Sequence, residues 1–457
     1  MNDDSSSRIV AALRAWLAEA PPGARLPSTR TLVAEHAVSP VTVQKALRTL
    51  ASQGVVETRP GVGTFVRSTR VVRAHDYGWQ TAALGAAPER GAHQSACLRS
   101  APNDVVALHS GYPDRCLLPE RLVRAATARA ARGETAIGRP PSTGLPELQA
   151  WFAAELGEAA AGDVIVTPGS QSGLGIVCRA LVGTGRPMLV ESPTYWGIIA
   201  AAAQARVELV PVPSGPRGPD PDDLDRAFAA TGARVFYAQP SFANPTGALW
   251  SPELGDAVLD VVRRHGAFLV EDDWAHDFGI TASAVPLAAR DDSGHVLYLR
   301  SLTKSVSPAV RVAGVVARGP VRERVLAAAQ AEAMYVSGPL QAVALDVVSQ
   351  PAWRTYVRGL RQQLAQRRDL LADAVRRHLP QASFELPPGG LNLWLRLPDG
   401  TDVQRLARDC EAAGVLFAPG DEWFPAEPTG PHVRLNYSGP DPGSFDRGVR
   451  VIGEALG

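Results

Sequence analysis

Apolar residues in the first part of the chain recur at helical spacing and predict three short helices. The first spans residues 8–19, and its apolar stripe consists of Ile9, Leu13 and Leu17. The second spans about 28–36, where the Ser28 hydroxyl can cap the free N–H groups. The third begins with Ser39 as its cap and ends near Gln53, and its stripe consists of Val43, Leu47 and Leu50.

Two short strands follow the third helix and complete a compact pattern. Residues 55–58 and 63–66 have strand character, and the segment between them contains Pro60 and Gly61. Three helices and a β-hairpin predict a winged helix-turn-helix, an α+β fold whose third helix enters the major groove of DNA. The polar side chains on the open face of that helix are Thr42, Gln44, Lys45 and Arg48.

Beyond this region the hydrophobic pattern changes twice. It fades over residues 69–105, which we interpret as a linker. Apolar strand-like runs then alternate with helical patterns, which predicts an α/β domain with a largely parallel sheet. The runs are residues 163–167, 187–191, 234–238, 267–271 and 295–300. A long helix over 352–379 leads to a smaller α+β subdomain with strands at 391–397 and 432–437. The predicted domains are 1–68 and 106–457, on either side of the linker.

The scarcity of lysine adds a chemical clue. Of the 46 basic residues only Lys45 and Lys304 are lysines. A desolvated lysine amine can attack an aldehyde, whereas arginine stays protonated, so a retained lysine indicates a need for an amine. Chance survival of two surface lysines is the alternative. Residues 1–70 carry nine basic and five acidic side chains although the chain is neutral overall, which favours a nucleic-acid face at the N-terminus.

Several classes of protein are disfavoured by the composition. The four cysteines are Cys97, Cys116, Cys178 and Cys410. Because none of them forms a CxxC pair, we expect neither a disulfide framework nor a zinc site, and a reducing cytoplasm fits. The polar start does not resemble a signal peptide, and no long apolar run predicts a membrane span.

Polar motifs follow the predicted strands, where α/β proteins bind ligands. TPGSQ at 167–171 opens a helix, so its N–H groups and hydroxyl can hold a phosphate. EDDW at 271–274 puts acids at a strand end, which is costly unless they face a cation or a protonated nitrogen. SLTK at 301–304, with Arg311 seven residues on, supplies an amine, two hydroxyls and a guanidinium. Tyr195 stacks on a flat ring or belongs to the core, and Asn244 offers an amide in a rigid NPTG turn.

These motifs, in this order, resemble the type I aminotransferase fold, whose cofactor is pyridoxal 5′-phosphate (PLP). The likeness covers about residues 106–457. Residues 8–66 are similar to a GntR-type winged helix, centred on the sequence GARLPSTRTLVAEHAVSPVTVQKALRTLASQGVVETRPGVGTFV. The combination resembles the MocR-like transcription regulators, and it covers nearly the whole chain.

The resemblance implies a role for each residue of the predicted cofactor site. Lys304 would form the internal aldimine, and Asp272 would keep the pyridinium nitrogen protonated, which strengthens the ring as an electron sink. Asn244 would bond the ring 3′-oxygen, and Tyr195 would stack on the ring. The phosphate would be held by Gly169, Ser170, Gln171, Ser301, Thr303 and Arg311. Arg434 would bind a substrate or effector carboxylate, the alternative being a surface arginine on a strand.

Two positions depart from the family pattern. Trp274 stands where the family has a tyrosine that donates to the 3′-oxygen, and an indole N–H would have to replace that hydroxyl. Arg139 stands where the family has a tyrosine near the partner subunit's cofactor phosphate, and it could serve there as an anion contact. Neither change blocks cofactor binding, but both argue against efficient transamination.

For the winged helix the resemblance implies DNA contacts on three elements. The third helix would meet bases through Thr42, Gln44, Lys45 and Arg48. The second helix would contribute Ser28 and Arg30, and the wing would contribute Arg59, Gly61 and Gly63, since glycine lets the backbone approach phosphates.

The chemistry and the resemblance together predict a dimeric, cytoplasmic, PLP-binding regulator of transcription. Double-stranded DNA, PLP and a small amino-compound effector are its expected partners, and displacement of Lys304 from an aldimine is the expected switch. An active aminotransferase with a vestigial DNA module is the main alternative. A regulator that has lost the cofactor and uses the fold only to dimerise is a third hypothesis.

Overall fold

The computed structural model describes residues 2–67, 80, 83, 95–102, 104–157, 159–283, 285–439 and 441–457. Most of the predicted linker over 69–105 therefore lies outside the described residues. The chain divides into two compact units, Met1–Ala87 and Pro88–Gly457.

The N-terminal unit is a winged helix-turn-helix, as predicted. Its helices are α1 (Asn2–Glu19), α2 (Thr29–His36) and α3 (Pro40–Ser52), and its hairpin pairs β1 (Val56–Arg59) with β2 (Gly63–Val66). The N-caps are those expected, because the hydroxyls of Ser28 and Ser39 accept from the N–H groups of Thr31 and Thr42 at 3.1 and 3.2 Å.

The small core follows the predicted stripes with two differences. Val43, Leu47 and Leu50 are buried, together with Ala46 on the same helix. Helix α1 begins at Asn2 rather than near residue 8, because its first turns are polar and give no apolar period. Leu17 packs at the edge of the core and is only partly buried.

The larger unit is built on an eight-stranded sheet. Its strands are β4 (Val164–Thr167), β5 (Pro187–Ser192), β6 (Glu208–Gly215), β7 (Gly218–Pro219), β8 (Val235–Ala238), β9 (Phe268–Asp273), β10 (Val296–Ser301) and β11 (Ala313–Val316). They lie side by side in the order β4, β11, β10, β9, β8, β5, β6, β7. Its central strands are parallel, as expected, and β11 runs antiparallel to both of its neighbours.

Helices cover both faces of this sheet, and the sheet separates two apolar cores. In the order of the chain they are α4 (Glu120–Ala130), α5 (Pro146–Ala154), α6 (Ser170–Val177), α7 (Trp196–Ala205), α8 (Pro221–Thr231), α9 (Pro252–Arg264), α10 (Pro320–Ala333), α11 (Gly338–Ser349) and α12 (Pro351–His378). Successive residues of a strand point to opposite faces, so the sheet can present two different sets of side chains at one edge.

A smaller α+β subdomain completes the unit. Antiparallel strands β12 (Asn392–Arg396), β15 (His432–Asn436) and β14 (Ala418–Pro419) form its sheet, flanked by α13 (Val403–Ala412) and α14 (Phe445–Leu456). The short strand β13 (Val415–Leu416) pairs in parallel with β3 (Val106–Ala107). The described residues just before β3 also contact this subdomain, since Ser95 and Ala96 donate to Glu422.

Candidate functional site

The acidic run at the end of β9 is distributed over both faces of the sheet. Glu271, Asp272 and Asp273 are all buried. Glu271 accepts from the N–H groups of Leu287 and Ala288 at 3.0 and 2.9 Å, which satisfies it within the fold. Burial, followed by repulsion from Asp273, raises the pKa of Glu271 to about 8. Only Asp272 is left to face the motifs around Lys304.

Only one of the two carboxylate oxygens of Asp272 has a hydrogen-bond partner among the described residues. Its Oδ2 atom accepts from the Tyr237 hydroxyl at 2.7 Å and from Gln239 Nε2 at 2.8 Å. Its Oδ1 atom is buried and finds no partner in the described part of the chain. Burial raises the pKa of Asp272 although both hydrogen bonds oppose this shift. A buried acceptor without a partner is costly, so this atom fits a ligand that brings an N–H group.

Lys304 lies across from this carboxylate in a desolvated position. Its Nζ atom is 4.9 Å from the ring centre of Trp274 and 5.8 Å from that of Tyr112. Burial lowers the pKa of Lys304 to about 8; the charge of Asp272 opposes this shift, and the guanidinium groups of Arg434 and Arg311 add to it. A larger fraction of this amine is therefore neutral and nucleophilic near neutral pH than in an ordinary lysine.

An anion cradle lies at the start of α6. Gly169 precedes this helix with φ +87°, and a Cβ atom there would stand 2.8 Å from the Arg311 guanidinium, so glycine is needed for the close approach. Ser170 occupies the first turn, where free N–H groups and the helix dipole favour negative charge. The Ser301 hydroxyl accepts from Thr303 N, and Thr303 Oγ1 is buried without a partner among the described residues.

Gln171 and Tyr195 bond to each other beside this cradle. The Tyr195 hydroxyl donates to Gln171 Oε1 at 3.1 Å, and Gln171 Nε2 donates to the carbonyl of Gly197 at 2.7 Å. The Gln171 side chain is thus occupied within the protein, which leaves its backbone N–H as the group for a phosphate. Gly197 lets both side chains pass, because a Cβ atom there would overlap them.

Arg434 and Asn244 form a second polar corner. Arg434 is fully buried on β15, and its NH1 atom donates to Asn244 Oδ1 at 3.2 Å. Its NH2 atom donates to Cys97 Sγ at 3.0 Å and to the carbonyls of His109 and Ser110 at 2.8 and 2.9 Å. Its Nε atom has no partner in the described structure, and it forms no ion pair there. A buried guanidinium surrounded by neutral acceptors suits an incoming carboxylate.

The two departures from the family pattern have different surroundings. Trp274 is buried, and its Nε1 atom has no partner among the described residues, so the indole can still donate to a ligand. Arg139 is exposed in the described chain.

The residues around Lys304 fit PLP on features of this structure. The unpaired Asp272 oxygen matches a protonated ring nitrogen, and the glycine-lined cradle beside Arg311 matches a phosphate. Tyr237, Gln239, Tyr112 and Cys97 also belong to this site, and the sequence did not reveal them. Gln239 carried a usable signal, since it directly follows β8 at the same edge of the sheet.

The recognition face of the winged helix is open. On α3 the side chains of Gln44, Lys45 and Arg48 are exposed, and Thr42 is partly exposed at the capped end. Arg30 and Ser28 are exposed at the start of α2. The predicted DNA-contacting side chains of both helices are therefore accessible within this unit.

In the wing, Arg59 already has partners within the protein. Its guanidinium pairs with Glu57 and lies 4.7 Å over the Phe65 ring, so part of its charge is already compensated. Gly61 has open space around it at φ +73°, whereas a Cβ atom at Gly63 would stand 2.8 Å from Arg25. Glycine at position 63 is thus favoured by its φ of +142° and by the close approach of the Arg25 side chain.

The described residues contain neither a membrane-spanning helix nor a metal-binding cluster. None of their helices is long and apolar enough to cross a membrane. They contain no cluster of three or more histidine, cysteine, aspartate or glutamate residues with metal-binding geometry.

Comparison with known families gives two matches. Residues 103–452 match the family described as aminotransferase class I and II. Residues 5–66 match the family described as bacterial regulatory proteins, gntR family.

Individual relatives match either nearly the whole chain or a large part of it. The probable rhizopine catabolism regulatory protein MocR of Rhizobium meliloti is 29% identical over 94% of this chain and 89% of its own length. The 2-aminoadipate transaminase of Thermus thermophilus is 29% identical over 77% of this chain and 90% of its own. Among solved structures, LysN, an α-aminoadipate aminotransferase from the same organism, superposes with a TM-score of 0.73 at 28% identity. It covers 78% of this chain and 92% of its own, and it was solved with N-(5′-phosphopyridoxyl)-L-leucine.

Proposed function

Because this chain belongs to the class I and II aminotransferase family and also carries a gntR-family domain, we propose that it is a PLP-dependent regulator of transcription. The observation that carries the proposal is the presence in one chain of an open recognition helix and a PLP-type site. The alignment with the regulatory protein MocR supports it, because that alignment spans both domains.

PLP is the cofactor of this aminotransferase family. When bound, it supplies a protonated ring that withdraws electrons from an attached amine. The proposal assigns the covalent contact to Lys304, the ring nitrogen to Asp272 and the 3′-oxygen to Asn244 and Trp274. Tyr195 would stack on the ring. The phosphate would be held by Gly169, Ser170, the Gln171 backbone, Ser301, Thr303 and Arg311.

The proposed signal is PLP itself, a small amino compound, or both. An amino compound with a carboxylate would place that group against Arg434, whose guanidinium is buried among neutral acceptors. It would also compete with Lys304 for the same position. An effector changes DNA binding only through different affinities for two states of the protein, which we take to be a cytoplasmic homodimer.

The cofactor part of the proposal is tested by visible absorbance. Purified protein reconstituted with PLP should absorb in the visible region, and Lys304→Ala should abolish this band. A wild-type protein that remains colourless after reconstitution would contradict the proposal.

The DNA part is tested on the intergenic DNA upstream of the gene. Specific binding should weaken with salt and in Arg30→Ala and Lys45→Ala, because both substitutions remove phosphate or base contacts. Normal binding by both variants would show that the recognition face is assigned incorrectly.

An active aminotransferase is a second candidate, favoured by the retained Lys304, Asp272 and Arg434. Sustained turnover of an amino donor with 2-oxoglutarate would support it. We expect turnover to be weak, because an indole replaces the usual phenol at Trp274.

A further inference from the structure

A cleft of about 1030 Å³ lies on the other face of the sheet from Lys304. In the register of β9 and β10, Asp272 stands beside Leu299, and Asp273 stands beside Arg300. Because side chains alternate along a strand, Asp273 and Arg300 face away from Asp272. Arg300 lines the cleft, which is therefore separate from the proposed PLP site.

The acids of the cleft are already paired. Buried Arg300 forms ion pairs with Glu155 and with Asp277, the latter at 3.3 Å. His276 lies 3.3 Å from Glu155, and its Nδ1 atom is 2.7 Å from Asp273. Burial and Arg300 oppose protonation of His276, but Asp273 and Glu155 outweigh them and raise its pKa to about 9. Glu155, Asp273 and Asp277 are thus already engaged with Arg300 and His276.

A row of arginines adds positive charge that has no such compensation. Arg354, Arg358 and Arg361 line the cleft from α12. Their spacing of four and three residues places them on one face of the helix, over roughly 10 Å. None of the three forms an ion pair within the described chain. Among the described residues, Arg361 donates only to the backbone carbonyls of Asp277 and His276, at 3.1 and 3.5 Å. Arg354 and Arg358 are exposed.

Apolar side chains complete the walls. Trp151, Ile280 and Val357 line the same cleft. The combination of a concave surface, an apolar wall and aligned guanidinium groups suits a small organic anion better than a DNA backbone, which binds to broad, open basic surfaces.

We propose that this cleft binds an organic anion with at least two negative charges, held by Arg354, Arg358 and Arg361 with its apolar part against Trp151. Phosphate esters and polycarboxylates share this chemistry. The site would give the protein a second small-molecule input. The cleft adjoins the proposed PLP site, because His276 is hydrogen-bonded to Asp273, the neighbour of Asp272 in sequence.

Isothermal titration calorimetry on the PLP-loaded full chain tests this inference, with phenyl phosphate and phthalate as separate probes, because each carries two negative charges and an apolar ring. At least one probe should bind saturably, and the one that binds tells whether phosphates or carboxylates are preferred. The Arg354→Ala/Arg358→Ala double variant should bind it at least about tenfold more weakly, because it loses two charge-assisted contacts. Both side chains are exposed and unpaired in the described chain, so the fold should tolerate their loss.

Arg324→Ala is the matched control, because Arg324 is exposed and lies on α10 outside the cleft. It should bind the probe as the wild type does, and Lys304→Ala should bind it as well. Failure of both probes to saturate the wild type, or equal affinity of the double variant, would overturn the inference. If the double variant loses affinity only for DNA, the arginines contact phosphates of the duplex and the cleft is no ligand site.

Discussion

At the scale of single residues, the unpaired oxygen of Asp272 leads to the first prediction. Asp272→Asn removes the charge that would pair with a protonated ring nitrogen while keeping the size of the side chain. We expect PLP affinity to fall at least about tenfold, because a charged hydrogen bond contributes roughly 1.5–3 kcal/mol. Fluorescence titration with PLP measures the effect. Asp292→Asn, at a side chain that is 88% exposed, is the control. Equal affinity of the two variants would contradict the role of Asp272.

The lowered pKa of Lys304 gives the second prediction. Only the neutral amine can attack an aldehyde, and the pKa of about 8 means that the protonated form dominates below pH 8 and the neutral form above it. The rate of PLP uptake by the apo-protein should therefore rise with pH through about 8 and then level off. Stopped-flow absorbance measures it. A rise that continues towards pH 10.5 would show that Lys304 is not desolvated.

The same residues show what a sequence reveals about a site. Lys304, Asp272 and Asn244 were predictable because each lies in a short polar motif at or after the end of a strand. Tyr237 was not, because it stands within an apolar strand and has the appearance of a core residue. Cys97 lies in a stretch without hydrophobic period, so nothing in the sequence indicated its contact with Arg434.

At the scale of elements, the cap of the recognition helix leads to the third prediction. Ser39→Ala removes the hydroxyl that accepts from Thr42 N and should destabilise the N-terminal unit by about 1 kcal/mol. Hydrogen exchange should then show faster exchange in the first turn of α3. Ser52→Ala, at the other end of the helix, should change stability by less than about 0.5 kcal/mol. Similar effects of the two substitutions would mean that the cap contributes little.

Elements with a strong period were predicted well, and elements defined by distant partners were not. Helix α3 and its caps follow from local spacing and from Ser39 and Pro40. The antiparallel direction of β11 between β4 and β10 depends on long-range pairing that no local pattern records. The ion pair of Glu155 with Arg300 in the cleft beside α12 also joins segments that are distant in the sequence.

At the scale of the whole molecule, each unit has a core of its own, which leads to the fourth prediction. Leu50 is fully buried in a cluster of ten residues within the winged helix. Leu50→Ala should cost about 2–5 kcal/mol, which is comparable to the whole stability of so small a domain. DNA binding should be lost while the visible absorbance of bound PLP remains.

Gel-shift and absorbance measurements on one preparation test this separation. Leu370→Ala is the control, because Leu370 is 53% exposed on α12. Loss of both properties in Leu50→Ala would show that the units do not fold independently.

The alternation of side chains along strand β9 limits which insertions and deletions this protein can accept during evolution. Asp272 and Asp273 are adjacent, yet they serve opposite faces of the sheet. Inserting or deleting a single residue earlier in the strand would turn both side chains over at once. The acid for the cofactor would then point towards His276, and the acid for His276 would point towards Lys304. An insertion or deletion in β9 therefore cannot alter the side chains on one face of the sheet without also altering those on the other face.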